Sequence, residues 1–491
     1  MIPNILGIDL GSSGVKLIYS TEDGNTKLRE GYDEVSPNGW YQALCKAAKQ
    51  FDLCQVKAIG LSSQVGTYII NGTDNISWSE QVGQEELEEV LSMESQEVFL
   101  KEISMPHPHI LSYPLPRLNY FKKKYGLLTE VCMPKDFLIE KLTGSRVSDP
   151  FSWRGLANLE TGEYSSQLLA KIGVSENILP KLQKPDSVAG YVTKQAEAET
   201  GIPAGTPVYV GCNDFFAGLL GMGMIHSGSM FDITGTSEHL GLITSKEPDL
   251  QTPVVHGPYF RHHALYGVTA SSGASLKFGK GLWNLNDKTI LACVKENPPI
   301  FLPYVNGERA PIWDANASGV FFGITAGTTQ KQMAYAVMEG VVFSLYHIYE
   351  HMGFPKAKNI TIAGGAAKNR GLCKLKASIF DIPVIVLEEN DTSALGAQML
   401  AAVGCGGYDS IEAAMKENCV KKAYVKPDYE LKAILRRRYE IYKGLYPALK
   451  DSFVEFHEVK CKAEQCDTEQ HQLDKKMKRK KYRGNSRKKR K

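Results

Sequence analysis

The chain has 491 residues, 43% of them hydrophobic, with 57 Lys and Arg against 54 Asp and Glu for a formal charge of +3. That length buries at least two cores. No apolar run approaches the roughly 20 residues that span a bilayer, which argues against a helical membrane protein, and ten cysteines scattered singly argue against a disulfide framework and suit a reducing compartment. The expected location is the cytoplasm, because the chain opens directly on a strand with none of the regions of a signal peptide. The charge is uneven: residues 475–491 hold 12 Lys and Arg and no acid, which leaves 45 basic against 54 acidic residues, or −9, in the body before them. Such a run cannot bury itself, is expected to be disordered, and would attract polyanions weakly.

In chain order, residues 4–70 read as strand, hairpin, strand, helix, strand. An acidic helix is expected over 82–105, and helical spacing continues over 115–142 with breaks at Gly126 and Pro134. PVYVGCNDFFAGLLGMGM, 207–224, is a buried strand that stops at Asn213-Asp214 and continues as a helix of small residues. A second hairpin follows at 228–244, and the Pro-containing stretch 245–260 marks the expected domain boundary. The second half carries a helix at 330–351, a strand-turn-helix at 359–380 and a small-residue helix at 392–404. Cys461 and Cys466 near His471 come closest to a metal cluster, but their spacing fits no common zinc site.

Two hairpins echo each other: IDLGSSGVKLI at 8–18 and FDITGTSEHLGLI at 231–243 both run from a strand through an aspartate to a Gly/Ser/Thr turn and back to a strand. Successive N–H groups and hydroxyls in such turns can hold phosphate oxygens, and glycine lets those oxygens reach the backbone. There is no Gly-Lys-Ser/Thr P-loop and no GxGxxG opening a helix, so a strand-turn-strand clamp is what remains. Asp9 either caps its own turn or holds a hydrated Mg²⁺ that carries the phosphates. Lys16 either adds charge there or faces solvent. Asp214 either caps the helix it opens or serves as a general base toward an attacking hydroxyl.

Taken together, these segments resemble the FGGY family of carbohydrate kinases over residues 4–448. GIDLGSSGVK is similar to its first phosphate motif, GCNDFFAGLLGMG to the segment with its catalytic aspartate, and DITGTSEHLG to its second phosphate motif. FLPYVNGERAPIWDANASGVFFGIT is close to its signature, and ITIAGGAAKN with SALGAQMLAAVGCG resembles its adenosine-binding end. The resemblance implies an α/β chain of two actin-like (ribonuclease H-like) domains with a cleft between them, at 1–244 (sugar and phosphates) and 245–448 (nucleotide), followed by a charged tail at 449–491. It implies ATP and Mg²⁺ as cofactors, a small sugar, ketose or polyol as substrate, and a homodimer as the common assembly. Carried over by motif, Asp214 is the catalytic base and Asp9 organises the metal through water. Ser12, Ser13, Gly235 and Thr236 meet phosphate, with Lys16 a cofactor-binding candidate beside them, while Gly273, Gly365 and Asn369 hold the nucleotide.

The departures lie on the sugar side, at the expected substrate positions Gln64, Val65 and Trp78. LSSQVGTYI places Val65 and Gly66 where xylulose kinases typically carry Met-His and glycerol kinases Arg-Glu. The family's Trp-x-Asp-x-Arg reads Trp78-Ser79-Glu80-Gln81-Val82, so its Arg is gone and a fork of donors with it, unless another loop compensates. His107 and His109 nearby are expected at the surface. The alternative is a nucleotide-binding sensor or pseudokinase, which would be expected to have lost its catalytic carboxylates.

Overall fold

The computed structural model describes residues 2–105, 110–247, 253–285 and 290–488, with side chains to residue 459. His107 and His109 lie outside the described residues, as do the side chains of Cys461, Cys466 and His471. Packing groups the chain into two units: Met1–Gly235, His239–Gly267 and Ile348–Asp428 form the first, and Thr236–Glu238, Val268–His347 and Tyr429–Lys491 the second. The expected boundary at 244/245 falls inside the first unit, because the stretch read as a linker includes a buried strand, Val255–Tyr259.

The first unit opens with β1 (Ile5–Leu10), β2 (Gly14–Thr21) and β3 (Gly24–Gly31), followed by α1 (Pro37–Ala48) and β4 (Ala58–Ser63). The helix α2 (Pro114–Tyr125) comes next, then β5 (Val188–Tyr191) and β6 (Pro207–Asn213), which runs directly into α3 (Asp214–Gly221). These strands form a six-stranded sheet in the order β5-β6-β4-β1-β2-β3, with β1, β4 and β6 parallel. A β1-β2-β3 meander with parallel strands beyond β1 is the ribonuclease H-like arrangement that the resemblance implied. Every residue of β1 and β4 is buried, as strands covered on both faces require.

A second sheet has seven strands: β7 (Met230–Thr234), β8 (Glu238–Thr244), β9 (Val255–Tyr259), β10 (His262–Thr269), β11 (Ile360–Gly364), β12 (Val384–Leu387) and β13 (Lys421–Val425), in the order β9-β10-β8-β7-β11-β12-β13. Between β11 and β12 runs α4 (Arg370–Phe380), whose buried Lys376 pairs with Asp232 of β7 at 2.6 Å. After β12 comes α5 (Thr392–Gly404).

The small residues of α3 and α5 are explained by how closely these helices approach their neighbours. A Cβ on Gly396 would sit 1.8 Å from the Ala217 carbonyl, one on Gly60 1.9 Å from that of Ala397, and one on Gly221 2.0 Å from that of Thr392. Backbone therefore packs on backbone, and no larger residue fits without moving an element.

In the second unit, helix Gln330–His351 is joined to helix Tyr429–Lys488 by a bidentate pair, Arg438 Nε to Glu339 Oε1 and Nη2 to Oε2, both at 2.7 Å. Tyr304 and Tyr442 share a hydroxyl contact at 2.9 Å. The backbone of the last helix runs through Pro447 to Lys488, so helix extends over much of the basic run. Elsewhere the acidic stretch 82–105 is two helices, Gln84–Met93 and Gln96–Ile103, because Glu94 is extended and Ser95 caps the second. Among the described residues, no helix is long and apolar enough to cross a membrane.

Candidate active site

The register of the parallel strands brings the first cluster of candidates together. Asp9 on β1 pairs across to Ser62 on β4, and Ser62 pairs across to Cys212 on β6. Asp9 thus lies two strands, or about 10 Å of sheet, from the strand that ends at Asp214, and between them emerge Gln64 and Val65 from the end of β4. The carboxyl ends of parallel strands are where α/β sheets bind ligands.

Asp9 is buried, 3% exposed. Its Oδ1 accepts from Ser62 Oγ at 2.8 Å, and its Oδ2 faces Lys16 Nζ at 3.6 Å. The turn is closed instead by Gly11 N–H donating to the Gly14 carbonyl at 3.1 Å, so the carboxylate does not cap it. Gly14 is required there, since a Cβ would meet the Glu30 carbonyl at 2.5 Å. Ser12 and Ser13 are exposed at the tip, with Arg29 donating to Ser13 Oγ at 2.9 Å. Lys16 pairs with Asp391, just before α5, at 3.2 Å as well as with Asp9, so its charge is shared by two carboxylates rather than facing solvent. Burial presses the ammonium pKa down, but the two aspartates outweigh it and the net shift is upward.

The capping role open to Asp214 belongs to Asn213. Its Oδ1 accepts from Phe216 N–H at 2.9 Å, while its Nδ2 donates to the Phe151 carbonyl at 2.7 Å. Asp214 is therefore the first residue of α3, half-buried, and its side chain is not spent on the cap. Its pKa is pushed up to about 7, first by burial and then by the negative charge of Asp9. A carboxyl group that titrates near neutrality can both accept and release a proton there. Ser393 Oγ donates to the Asp214 carbonyl at 2.8 Å, tying α5 to this turn.

At the expected substrate positions Gln64 is buried and Val65 exposed, and the adjacent Gly66 has φ +80°, where a Cβ would press on Ser112 at 2.9 Å. Trp78 is half-buried, its N–H donating to Thr67 Oγ1 at 3.2 Å. The donor fork missing at Val82 is replaced by a residue that the motif comparison passed over. Arg117 of α2, fully buried, donates to the carbonyls of Glu80 at 2.7 Å, Ser77 at 3.3 Å and Val82 at 3.4 Å. A lone Arg in a helix rich in lysine gave no signal of this.

The second hairpin lies at the end of β7. Thr234 Oγ1 donates to the Ala363 carbonyl at 2.9 Å and accepts from Ala366 N–H at 3.0 Å. Gly364 has φ +94°, with a hypothetical Cβ only 2.1 Å from the Thr234 carbonyl. Gly235 and Thr236 are exposed in the turn, and Gly365 has nothing within 4 Å of its Cβ direction. Asn369 caps α4, accepting from Leu372 N–H at 3.1 Å. Thr236 and Gly273 belong to the second unit, where Gly273 is in the first turn of helix Ser272–Leu282. There the buried Glu238 accepts from Ser272 Oγ, and Glu308 Oε1 accepts from Ala270 N–H at 2.6 Å and Arg309 N–H at 2.8 Å.

Known proteins share this arrangement of motifs. The model of the FGGY family of carbohydrate kinases, N-terminal domain, matches residues 4–221, and that of its C-terminal domain matches residues 231–405. The chain belongs to this family. It is an ATP-dependent sugar kinase. A xylulose kinase from Staphylococcus epidermidis is 28% identical over 485 residues, covering 91% of this chain and 97% of the relative. Among solved structures, a gluconate kinase from Lactobacillus acidophilus superposes with TM-score 0.80 at 24% identity, over 92% of this chain and 99% of that one. A xylulose kinase from the same organism gives TM-score 0.80 at 23% identity, over 93% and 100%. These two likenesses speak to the fold, which is that of an FGGY kinase.

Proposed function

We propose that this FGGY kinase transfers the terminal phosphoryl group of ATP to a hydroxyl of a small sugar, ketose or polyol, with Asp214 as general base. The observation that carries the reading is the strand register. It sets Asp9 and Asp214 at the carboxyl ends of two parallel strands that flank β4, with Gln64 and Val65 emerging from β4 between them. Asp214 takes the proton of the attacking hydroxyl, and its pKa near 7 leaves it largely ionised above neutrality. Ser12, Ser13, Gly235 and Thr236 supply donors to phosphate, and Gly273, Gly365 and Asn369 hold the nucleotide.

The donor set at Asp9 fits Mg²⁺ held through water. One carboxylate oxygen is taken by Ser62, and among the described residues no group of three His, Cys, Asp or Glu could hold a metal alone, so phosphates and water must complete the shell. When bound, the ion neutralises charge on the phosphate oxygens. Lys16 stands beside Asp9 and Asp391 and limits their repulsion toward the incoming triphosphate.

The described cysteines are all free thiols, which supports a reducing, cytoplasmic setting. A homodimer and a weakly polyanion-binding tail complete the proposal. A nucleotide sensor without transfer finds no support here, since both carboxylates are retained. The test is a coupled ADP-release screen of the full chain across pentuloses, hexuloses, aldonates and polyols. Acceptor-dependent ADP release is expected from at least one class; silence across the panel with ATP still bound overturns the reading.

A further inference from the structure

Arg154 lies beside the turn that carries Asp214, and its charge has no carboxylate partner among the described residues. Its Nη2 donates to Tyr113 Oη at 2.8 Å and to Tyr266 Oη at 2.7 Å, and its guanidinium lies 5.7 Å from the ring of Phe216. Phe216 is two residues beyond Asp214, and Tyr266 packs on the intervening Phe215 with ring centres 4.6 Å apart. On the other side, Tyr113 follows Ser112, the residue against which Gly66 is pressed. Arg154 therefore touches residues near in the chain to Asp214 on one side and to Ser112 on the other.

The local chemistry is one-sided. An arginine has five N–H donors. Two of them, on Nη2, go to the phenols, while the three on Nε and Nη1 make no hydrogen bond among the described residues. Each phenol oxygen already accepts from Arg154, so each keeps its own O–H to donate. The cluster thus offers five donors and a positive charge, with no carboxylate to balance it. A half-buried guanidinium without a counter-ion is costly to keep unless an anion visits it.

We propose that Arg154, Tyr113 and Tyr266 form an anion subsite that takes the carboxylate of the acceptor, so that the preferred substrate class is sugar acids rather than neutral ketoses or polyols. This rests on the kinase reading above and narrows it. A neutral acceptor would place a hydroxyl where a charge is wanted, and hydrogen bonds to charged groups are the stronger ones by a wide margin.

The test compares C4–C6 aldonates and uronates with their matched alditols on the full chain, then repeats the set with Arg154→Gln and Tyr113→Phe, with melting temperatures as a folding control. For the best acid, kcat/KM is expected to exceed that of its neutral partner by about 100-fold, and the Gln variant to erase most of that ratio. Turnover of neutral acceptors but of no acid overturns the subsite and leaves the kinase reading standing, and it does so on the unaltered chain. A rise in KM for ATP that is equal with every acceptor shows that Arg154 grips phosphate instead, which also overturns the assignment. If no acceptor is phosphorylated, calorimetry with the same acids decides: uptake lost in Arg154→Gln supports the subsite although the kinase reading has failed, and absence of uptake overturns both.

Discussion

Asp214 in the first unit and Glu308 in the second are both carboxyl groups pushed up to about 7, and burial leads in both, yet their surroundings differ in kind. Asp214 opens a helix at the end of a parallel strand, is half-buried, and feels a second carboxylate, Asp9. Glu308 is 4% exposed and spends Oε1 on two backbone N–H groups, while its buried Oε2 has no partner among the described residues. The first arrangement sets a carboxyl group at the carboxyl end of a parallel strand, where α/β sheets bind ligands; the second braces a loop. A raised pKa is therefore not by itself a mark of catalysis, and the place of the group in the fold has to decide.

Exchanging each acid for its amide should separate the two most sharply. Asp214→Asn is expected to lower kcat by about 10²–10⁴-fold with ATP affinity and melting temperature nearly unchanged, whereas Glu308→Gln should leave kcat within a few-fold. Comparable losses in both variants, measured by coupled ADP release, would dissolve the distinction. The pH profile sharpens it next. Because the base must be ionised, kcat/KM should fall about tenfold per pH unit below about 7, and that limb should persist unchanged in Glu308→Gln.

Stability carries the other half of the contrast. A carboxyl whose folded pKa is raised makes the folded chain hold the extra proton, so its contribution is complete below the ordinary value of 4.5 and is lost as pH rises through about 7. Removing Glu308's titration should shift the stability of Glu308→Gln relative to the parent by about 3 kcal/mol in the variant's favour between pH 4.5 and 8, read from urea unfolding at each pH. The smallest expected effect is that of Asn213→Ala. Loss of the helix cap and of the bond to Phe151 should cost about 2 kcal/mol and move the Asp214 turn, lowering kcat along with the melting temperature; an unchanged kcat would show that the turn is held by α5 alone.

Much of this was legible in the sequence where local pattern and tertiary demand agree. The strands at 4–31, the junction at Asn213-Asp214 and the helices at 330–351 and 392–404 follow from periodicity and from polar residues at the end of apolar runs. The small residues of the last of these correspond to the contacts at Gly60, Gly221 and Gly396. Long-range contacts were not legible. Neither the tie of Lys16 to Asp391 nor the grip of Arg117 on the Ser77–Val82 loop could be seen, because partners tens to hundreds of residues apart leave no local spacing. The strand within 245–260 was hidden for a related reason: Pro258, one of the prolines that marked the expected boundary, sits in a strand at the outer edge of the seven-stranded sheet, where proline is tolerated.

Arg117 holds its loop by main-chain oxygens alone. Glu80 adds a side-chain bond of its own, accepting from Ser77 N–H at 2.7 Å, so the loop is closed twice, by Arg117 across its carbonyls and by Glu80 across its turn. A loop braced in this way keeps its shape although the arginine of the Trp-x-Asp-x-Arg motif is absent from it.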